Sequence, residues 1–455
     1  MAVKIKYYST NLRSPEVSFS EALLKGLAPD GGLYMPSCIP GISGDEISSF
    51  RSMNYADIAF HVSSKFLRED LPSADLEKIV KDAYDFPVPL EHVYENKYVM
   101  RLDGGPTASF KDFAARMMGR LINYYLQKDK RRLLILTATS GDTGSAIANA
   151  FYGLDSIQVV VLFPHGEVTA RQRKQMTTLG KNIRILSLNG KFDDCQALVK
   201  QAFNDRDLDY LNLSSANSIN IGRLIPQINY YFYSFARLAH NIEDEVIFSV
   251  PSGNFGDMMG CMFAKSMGLP VKKVVIATNA NDEFPRMMEN QTYHKIDPSI
   301  NCISSAMNVG HPSNLARLVA MYGGVMDEKG ELHVKPDFNR MRSDIYSCSV
   351  SDELTRETIK SAWEKHNLLL EPHGAVGWSA LEKFIDKYPG MNNPNQLFIS
   401  LETAHPAKFP GEITSILGID PPLPESLKGL ENRPEFVQEL RKDYREFKTF
   451  LQDNY

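Results

Sequence analysis

The chain is short of the features that would assign it to several large protein classes. Its 455 residues include only five cysteines, and Cys38, Cys195, Cys261, Cys302 and Cys348 are scattered with no Cys-x-x-Cys spacing. An odd, dispersed set excludes a disulfide framework and a zinc cluster and fits a reducing compartment. No apolar run is long enough to cross a bilayer, and Lys4, Lys6 and Arg13 are followed by no sustained apolar stretch, so neither a membrane span nor a secretion signal is expected. Charge of one sign is not in excess: 55 acidic against 50 basic residues leave a formal net charge of -5, without the basic footprint of a nucleic-acid binder. The sequence has no Gly-x-x-x-x-Gly-Lys-Ser/Thr loop and no His-Glu-x-x-His motif, and its glycines after Val250 lack the Gly-x-Gly start of a dinucleotide turn. His373 and His405 each adjoin a proline and read as turn or lining residues, so no metal is expected. The remaining expectation is a cytoplasmic protein that handles a small molecule.

With 43% apolar residues, the chain can build two or three core-bearing units. Residues 1–95 are mixed, with helical patterns at Tyr55–Leu67 and Ala74–Tyr84 around a Pro29-Asp30-Gly31-Gly32 turn, and read as an N-terminal subdomain. From residue 96 onward, short aliphatic and β-branched runs alternate with helical patterns, the signature of parallel strands joined by crossover helices. Strands are expected at Leu133–Leu136, Gln158–Phe163, Ile183–Leu188, Val246–Val250, Lys273–Ala277 and Gln396–Leu401. Helices are expected at Asp112–Leu126, Gly144–Tyr152, Asp193–Phe203, Arg223–Leu238, Phe255–Met267, Asp352–His366 and Ala375–Tyr388. The boundaries assign 96–240 to a first α/β lobe and 241–455 to a second, ending in a peripheral charged helix after Pro421-Pro422-Leu423-Pro424.

Lys111 lies between Phe110 and Phe113 at the start of an amphipathic helical pattern. The helix N-terminus and the aromatic neighbours both favour the neutral amine, a nucleophile suited to forming a Schiff base with an aldehyde cofactor. A lone lysine in this setting more often snorkels to solvent. Two further segments change the balance. Thr139-Ser140-Gly141-Asp142-Thr143-Gly144 and Ser252-Gly253-Asn254-Phe255-Gly256-Asp257 each follow an expected strand and open an expected helix. Either turn alone could simply cap its helix. Together they offer two anion seats at strand carboxyl ends. Pyridoxal phosphate acting on an amino acid needs such an inventory: one seat for the cofactor phosphate, one for the substrate carboxylate, and a lysine between them.

These segments, with Ser109-Phe110-Lys111-Asp112-Phe113, Ser214-Ser215-Ala216-Asn217-Ser218-Ile219-Asn220, Glu402-Thr403-Ala404-His405-Pro406-Ala407-Lys408-Phe409 and the opening Gly31-Gly32-Leu33-Tyr34-Met35-Pro36, resemble the threonine synthase family over nearly the whole chain. Their order and spacing are similar to its bacterial and fungal branch. The resemblance implies the tryptophan-synthase-β-like, fold type II pyridoxal phosphate architecture: α/β, with two open, twisted, mostly parallel sheets flanked by helices, plus the N-terminal subdomain. It implies that Lys111 carries pyridoxal 5'-phosphate, that Gly253, Asn254, Phe255, Gly256 and Asp257 cradle its phosphate, and that Thr403 faces its ring nitrogen. A hydroxyl there does not hold the ring protonated as a carboxylate would, which restrains side reactions. Thr139, Ser140, Gly141, Asp142 and Thr143 correspond to the substrate-carboxylate loop. Relatives in the wider fold often have asparagine at Asp142, so its expected role is to shape the loop. Asn217, Ser218 and Asn220 are further substrate contacts, with Arg223 and Lys408 as the cations for the substrate phosphate. The implied reaction converts O-phospho-L-homoserine and water to L-threonine and phosphate by β,γ-elimination and hydration, in a monomer rather than the dimer of the plant-type branch. A phospholyase acting on O-phosphoserine or O-phosphothreonine would share the cofactor residues, and a catalytically silent binding protein could keep the same lobes.

Overall fold

The computed structural model describes residues 4–393 and 395–455. All six expected strands form, at Leu133–Ala138, Ile157–Pro164, Ile183–Leu188, Glu245–Pro251, Val271–Thr278 and Gln396–Glu402, and they are largely buried along their length, as parallel strands covered on both faces must be. They assort into two sheets. The small sheet runs Gln438–Leu440, Ile183–Leu188, Ile157–Pro164, Leu133–Ala138, Leu213–Ser214, all parallel. The large sheet runs Ile345–Ser349, Val271–Thr278, Glu245–Pro251, Gln396–Glu402, Lys97–Arg101, Leu90–Tyr94, parallel except for the last, antiparallel pair. Two short antiparallel pairs, Tyr7–Ser9 with Tyr34–Pro36 and Val325–Met326 with Leu332–Val334, complete the described strands.

Sheet membership corrects the linear boundaries expected at residues 95 and 240. Leu90–Tyr94 and Lys97–Arg101 belong to the large sheet although they flank the first boundary, and Gln438–Leu440 belongs to the small sheet although it lies near the far end of the chain. A parallel strand finds its partner through a crossover connection, so adjacency in sequence does not decide adjacency in the sheet. The C-terminal helix is likewise not peripheral. Tyr444–Asn454 buries Phe447 and Leu451 completely in the core formed with Leu198, Val199 and Leu188. The single helix expected over Arg223–Leu238 is three pieces, Ile221–Leu224, a 3-10 turn at Ile225–Ile228, and Asn229–Leu238. Pro226 has no N–H to continue the ladder and breaks it.

The N-terminal subdomain closes over that broken helix. Tyr55–Leu67, capped by Asn54, buries Tyr55, Ile58, Ala59, Val62 and Phe66, the stripe expected of an amphipathic helix, and Tyr55 packs edge-on against Tyr233 at 5.4 Å between ring centroids. On the other side, the helix Gly256–Ser266 approaches the 3-10 turn so closely that a Cβ on Gly260 would lie 2.6 Å from the Gln227 carbonyl oxygen. Alanine would improve helix propensity by about 1 kcal/mol, but overpacking against a fixed backbone oxygen costs about 1–3 kcal/mol, and the contact is at the severe end. Gly260→Ala should therefore lower stability by about 1–2 kcal/mol, seen as a lower urea midpoint with unchanged slope; a raised midpoint would mean that the packing is looser than described.

Candidate active site

Lys111 is the first residue of the helix Lys111–Asp129. The loop that delivers it runs beside the end of the central strand Gln396–Glu402: Leu102 N–H donates to Glu402 O at 2.9 Å, Phe110 N–H to Thr403 O at 2.9 Å, and His405 N–H to Ala108 O at 3.0 Å. Asp112, fully buried, holds the loop from inside by accepting from Thr107 N–H at 2.8 Å and Thr107 Oγ1 at 2.6 Å. The lysine side chain is 12% exposed, and its Nζ stands 3.6 Å from Asp142 Oδ2 and 4.7 Å from the Phe110 ring centroid. Burial lowers the amine pKa, Asp142 opposes that shift, and the charges of Lys408 and Arg223 reinforce it.

Asp142 opens the helix Asp142–Phe151 at the carboxyl end of Leu133–Ala138. Its Oδ1 is paired with Lys408 Nζ at 2.7 Å and accepts from Gln172 Nε2 at 2.8 Å. Burial alone would raise its pKa, but Lys408 and Lys111 outweigh burial and hold the carboxylate well below its usual range. Lys408 is completely buried and also donates to Thr107 O at 2.8 Å. Asp142 is therefore an ionised link between two lysines, which corrects the expectation that it merely shapes the loop. The loop itself is shaped by Thr139, whose Oγ1 accepts from Gly141 N–H at 2.9 Å and Gly144 N–H at 2.8 Å. Gly141 has a positive φ of 132°, and any Cβ there would strike the Gln172 side chain at 2.7 Å. Ser140 and Thr143 stand half-buried at the rim.

The second turn lies at the end of Glu245–Pro251. A Cβ on Gly253 would come within 3.0 Å of Ala306 O and Met307 Cα, Phe255 takes the left-handed conformation at φ 64°, and the helix Gly256–Ser266 starts immediately. Open backbone followed by unpartnered helix N–H groups suits a phosphate. Asn254 is exposed, and its Oδ1 accepts from Ser313 Oγ at 3.3 Å. The Asp257 side chain does not join this seat. Its Oδ1 accepts from Tyr230 OH at 2.5 Å and Tyr231 OH at 2.7 Å beneath the turn, and burial pushes its pKa up to about 6 against those bonds and Lys111.

Of the remaining expected residues, Asn217 accepts from Thr137 Oγ1 at 2.8 Å, and Ser218 stands 3.5 Å from Ser313 Oγ, so this segment reaches toward the phosphate turn. Asn220 is a correction: fully buried, it donates to Leu23 O at 2.8 Å and caps Ile221–Leu224 through Gly222 N–H at 2.9 Å, leaving no group for a substrate. Arg223 is buried close enough to act on the charge of Lys111, with Nη1 on Ala216 O at 2.8 Å and Nε without a partner. Burial pushes its pKa down to about 10 against Asp112, so it stays charged. Lys408 is committed to Asp142 rather than free for a substrate phosphate. Thr403 Oγ1 donates to Glu371 Oε1 at 3.4 Å. Glu371, unsignalled in the sequence, also accepts from His373 Nδ1 and from Gly374 N–H at 3.0 Å. Gln172, Thr107 and Glu371 are brought in from distant segments and carry no local pattern. The buried, uncrowded amine, the open glycine turn and the partnerless guanidinium nitrogen fit pyridoxal phosphate and an anionic substrate.

Comparisons with known proteins agree over the full length. The family described as "Threonine synthase N terminus" matches residues 6–84, "Pyridoxal-phosphate dependent enzyme" matches 87–390, and "Threonine synthase, C-terminal" matches 374–451. A threonine synthase of Haemophilus influenzae is 39% identical over 446 residues, covering 97% of this chain and 98% of the relative. Among solved structures, threonine synthase of Brucella melitensis with pyridoxal phosphate bound superimposes with a TM-score of 0.92 at 35% identity, covering 99% of each chain. The yeast threonine synthase gives 0.91 at 32% identity, with 100% of this chain and 99% of that one covered.

Removing one member of a buried ion pair strands the other, typically at about 3–5 kcal/mol. Asp142→Asn and Lys408→Met should each destabilise the protein by about 3 kcal/mol at pH 7, and the double variant by clearly less than the sum. Because the folded pKa of Asp142 is depressed, its contribution is present above the unfolded value of about 4 and is lost as pH falls toward the folded value. Asp142→Asn should therefore flatten the acid limb of the stability curve below about pH 4. Additive single effects in urea melts would show that the pair is not coupled.

Proposed function

We propose, on the premise that this chain belongs to the threonine synthase family, that it converts O-phospho-L-homoserine and water to L-threonine and phosphate, as a monomer in the cytoplasm. Pyridoxal phosphate, the cofactor of the family, supplies when bound an aldehyde that captures amino groups and a conjugated ring that takes up electron density from the neighbouring carbon. The observation that carries the reading is the Lys111 amine, buried 3.6 Å from Asp142 of the Thr139–Gly144 turn.

The side chains supply the rest. Lys111, its pKa lowered by burial, is a base placed to take the Cα proton and, once that proton has left it, a proton from Cβ, so that the Cγ–O bond breaks and its electron pair departs with the phosphate. Asp142 steadies the ammonium that results and returns it toward the reacting carbons, while Lys408 keeps Asp142 ionised. The Thr139–Thr143 turn holds the substrate carboxylate through backbone N–H groups, and Asn217 and Ser218 line the opposite rim. Arg223, charged and with an idle Nε, faces the charge that grows on the leaving phosphate. Protonation at Cγ and addition of water at Cβ complete threonine, with every atom of substrate and water accounted for in the amino acid and inorganic phosphate.

Amino-acid analysis of the products should show one threonine per phosphate released from phosphohomoserine, and negligible release from O-phosphoserine or O-phosphothreonine. Lys111→Ala should lose at least about a thousandfold in kcat, and borohydride should fix a pyridoxyl group on Lys111 of the wild type only. Release of phosphate without threonine, or labelling of another lysine, overturns the assignment. Arg223→Met should cut kcat/KM for phosphohomoserine by about a hundredfold, the loss of one charge-assisted contact in a buried site, while leaving borohydride trapping on Lys111 intact.

A further inference from the structure

Arg317 has no surface exposure at all, and only burial, with no carboxylate to offset it, acts on its pKa, pushing it down to about 9. All three guanidinium nitrogens are spent on neutral oxygens: Nε on Tyr34 O at 2.9 Å, Nη1 on Asn314 Oδ1 at 2.5 Å, and Nη2 on Ile219 O at 2.7 Å. A cation buried without an anion is among the costliest arrangements in a protein interior. Asn314 ties this guanidinium to the glycine turn. With its oxygen held by Arg317, Asn314 turns Nδ2 to Asn254 O at 2.9 Å and Ser218 O at 3.2 Å. A Cβ on Gly256 would lie 3.9 Å from the same nitrogen. One amide thus separates the guanidinium from the glycine turn, and a full charge buried at one end of that link is screened less than it would be in water.

We propose that Arg317, acting through Asn314, is the phosphate-positioning residue of the site, supplying the positive potential that seats the 5'-phosphate of the cofactor in the Gly253–Gly256 turn. This rests on the reading of that turn given above. The turn has no lysine or arginine of its own from Pro251 to Gly256, so backbone N–H groups and the helix dipole would otherwise hold a dianion alone. Arg317 completes the charge balance from behind while its contacts to Tyr34 and Ile219 anchor the turn to the N-terminal subdomain and to the Asn217–Ser218 segment.

The test compares two probes on the apoenzyme: pyridoxal 5'-phosphate and pyridoxal, which shares the aldehyde and lacks the phosphate. Dissociation constants come from the absorption change when each reacts with Lys111. Arg317→Met should weaken pyridoxal phosphate by about thirtyfold, as expected for losing a charged partner, and pyridoxal by less than about threefold. A residue that only braces the fold would weaken both alike, and an unchanged ratio between the two probes overturns the proposal. If Arg317→Met gives no cooperative melt, Asn314→Ala decides by the same ratio, with Arg317 left in place: a fall of at least about fivefold is expected, and no fall overturns the inference. In Arg317→Lys, a raised KM for phosphohomoserine with an unchanged probe ratio would assign the charge to the substrate phosphate and overturn the cofactor assignment. Failure of wild type to take up pyridoxal phosphate on Lys111 would instead sink the functional reading beneath it.

Discussion

One buried carboxylate, shared between two lysines, is the constraint to which the rest of the site answers. Asp142 comes from the small sheet, Lys408 from the segment after the central strand of the large sheet, and Lys111 from the helix between them. An ion pair at this depth contributes little net stability compared with apolar packing. What it provides is register, because two lysines from separate segments must each arrive within 4 Å of one carboxylate for the charges to balance. The neighbouring bonds follow from that demand: Gln172 steadies Asp142, and Thr107 takes the remaining reach of Lys408 through its carbonyl while Asp112 takes its hydroxyl. The catalytic amine is thus held by a charge ledger as much as by shape.

A second line of hydrogen bonds runs from Thr403 to Glu371, then to His373, whose Nε2 accepts from Ala306 N–H at 3.0 Å. That acceptance fixes the tautomer: the ring proton of neutral His373 is on Nδ1, directed at Glu371. Ala306 in turn backs Gly253. The wall near Thr403 and the wall of the phosphate turn are therefore one connected structure, built on Pro372–Lys387, the helix that Glu371 caps.

Much of this was legible in the sequence because local rules govern it. The strands were readable as short apolar runs, Lys111 as a charge misplaced at a helix mouth, and the two turns as glycine-rich joints between strand and helix. Glu371, Gln172, Asn314 and Arg317 were not, since each acquires its role from a partner far along the chain: Arg317 meets Tyr34 across the whole first half of the protein. Residue type also proved a poorer guide than direction. Lys408 is a cation in the site as expected but is turned onto Asp142, and Asn220 has an amide in the expected segment but spends it on Leu23 and Gly222. The hairpin of partly exposed Leu90–Tyr94 and mostly buried Lys97–Arg101 escaped notice because Glu91, His92, Lys97 and Arg101 interrupt its apolar pattern.

The outer edge of the small sheet is closed by Gln438–Leu440 on Ile183–Leu188 and covered by the helix Tyr444–Asn454. Glu435 fastens the same stretch to Arg173 at 3.0 Å and to Thr177 at 2.7 Å, on the helix that contributes Gln172. During translation the strand Ile183–Leu188 leaves the ribosome some 250 residues ahead of its neighbour, and at a typical elongation rate of about 5–20 residues per second it waits for tens of seconds with a bare rim. The nascent protein must carry that unpaired edge until its last segments emerge and lock it.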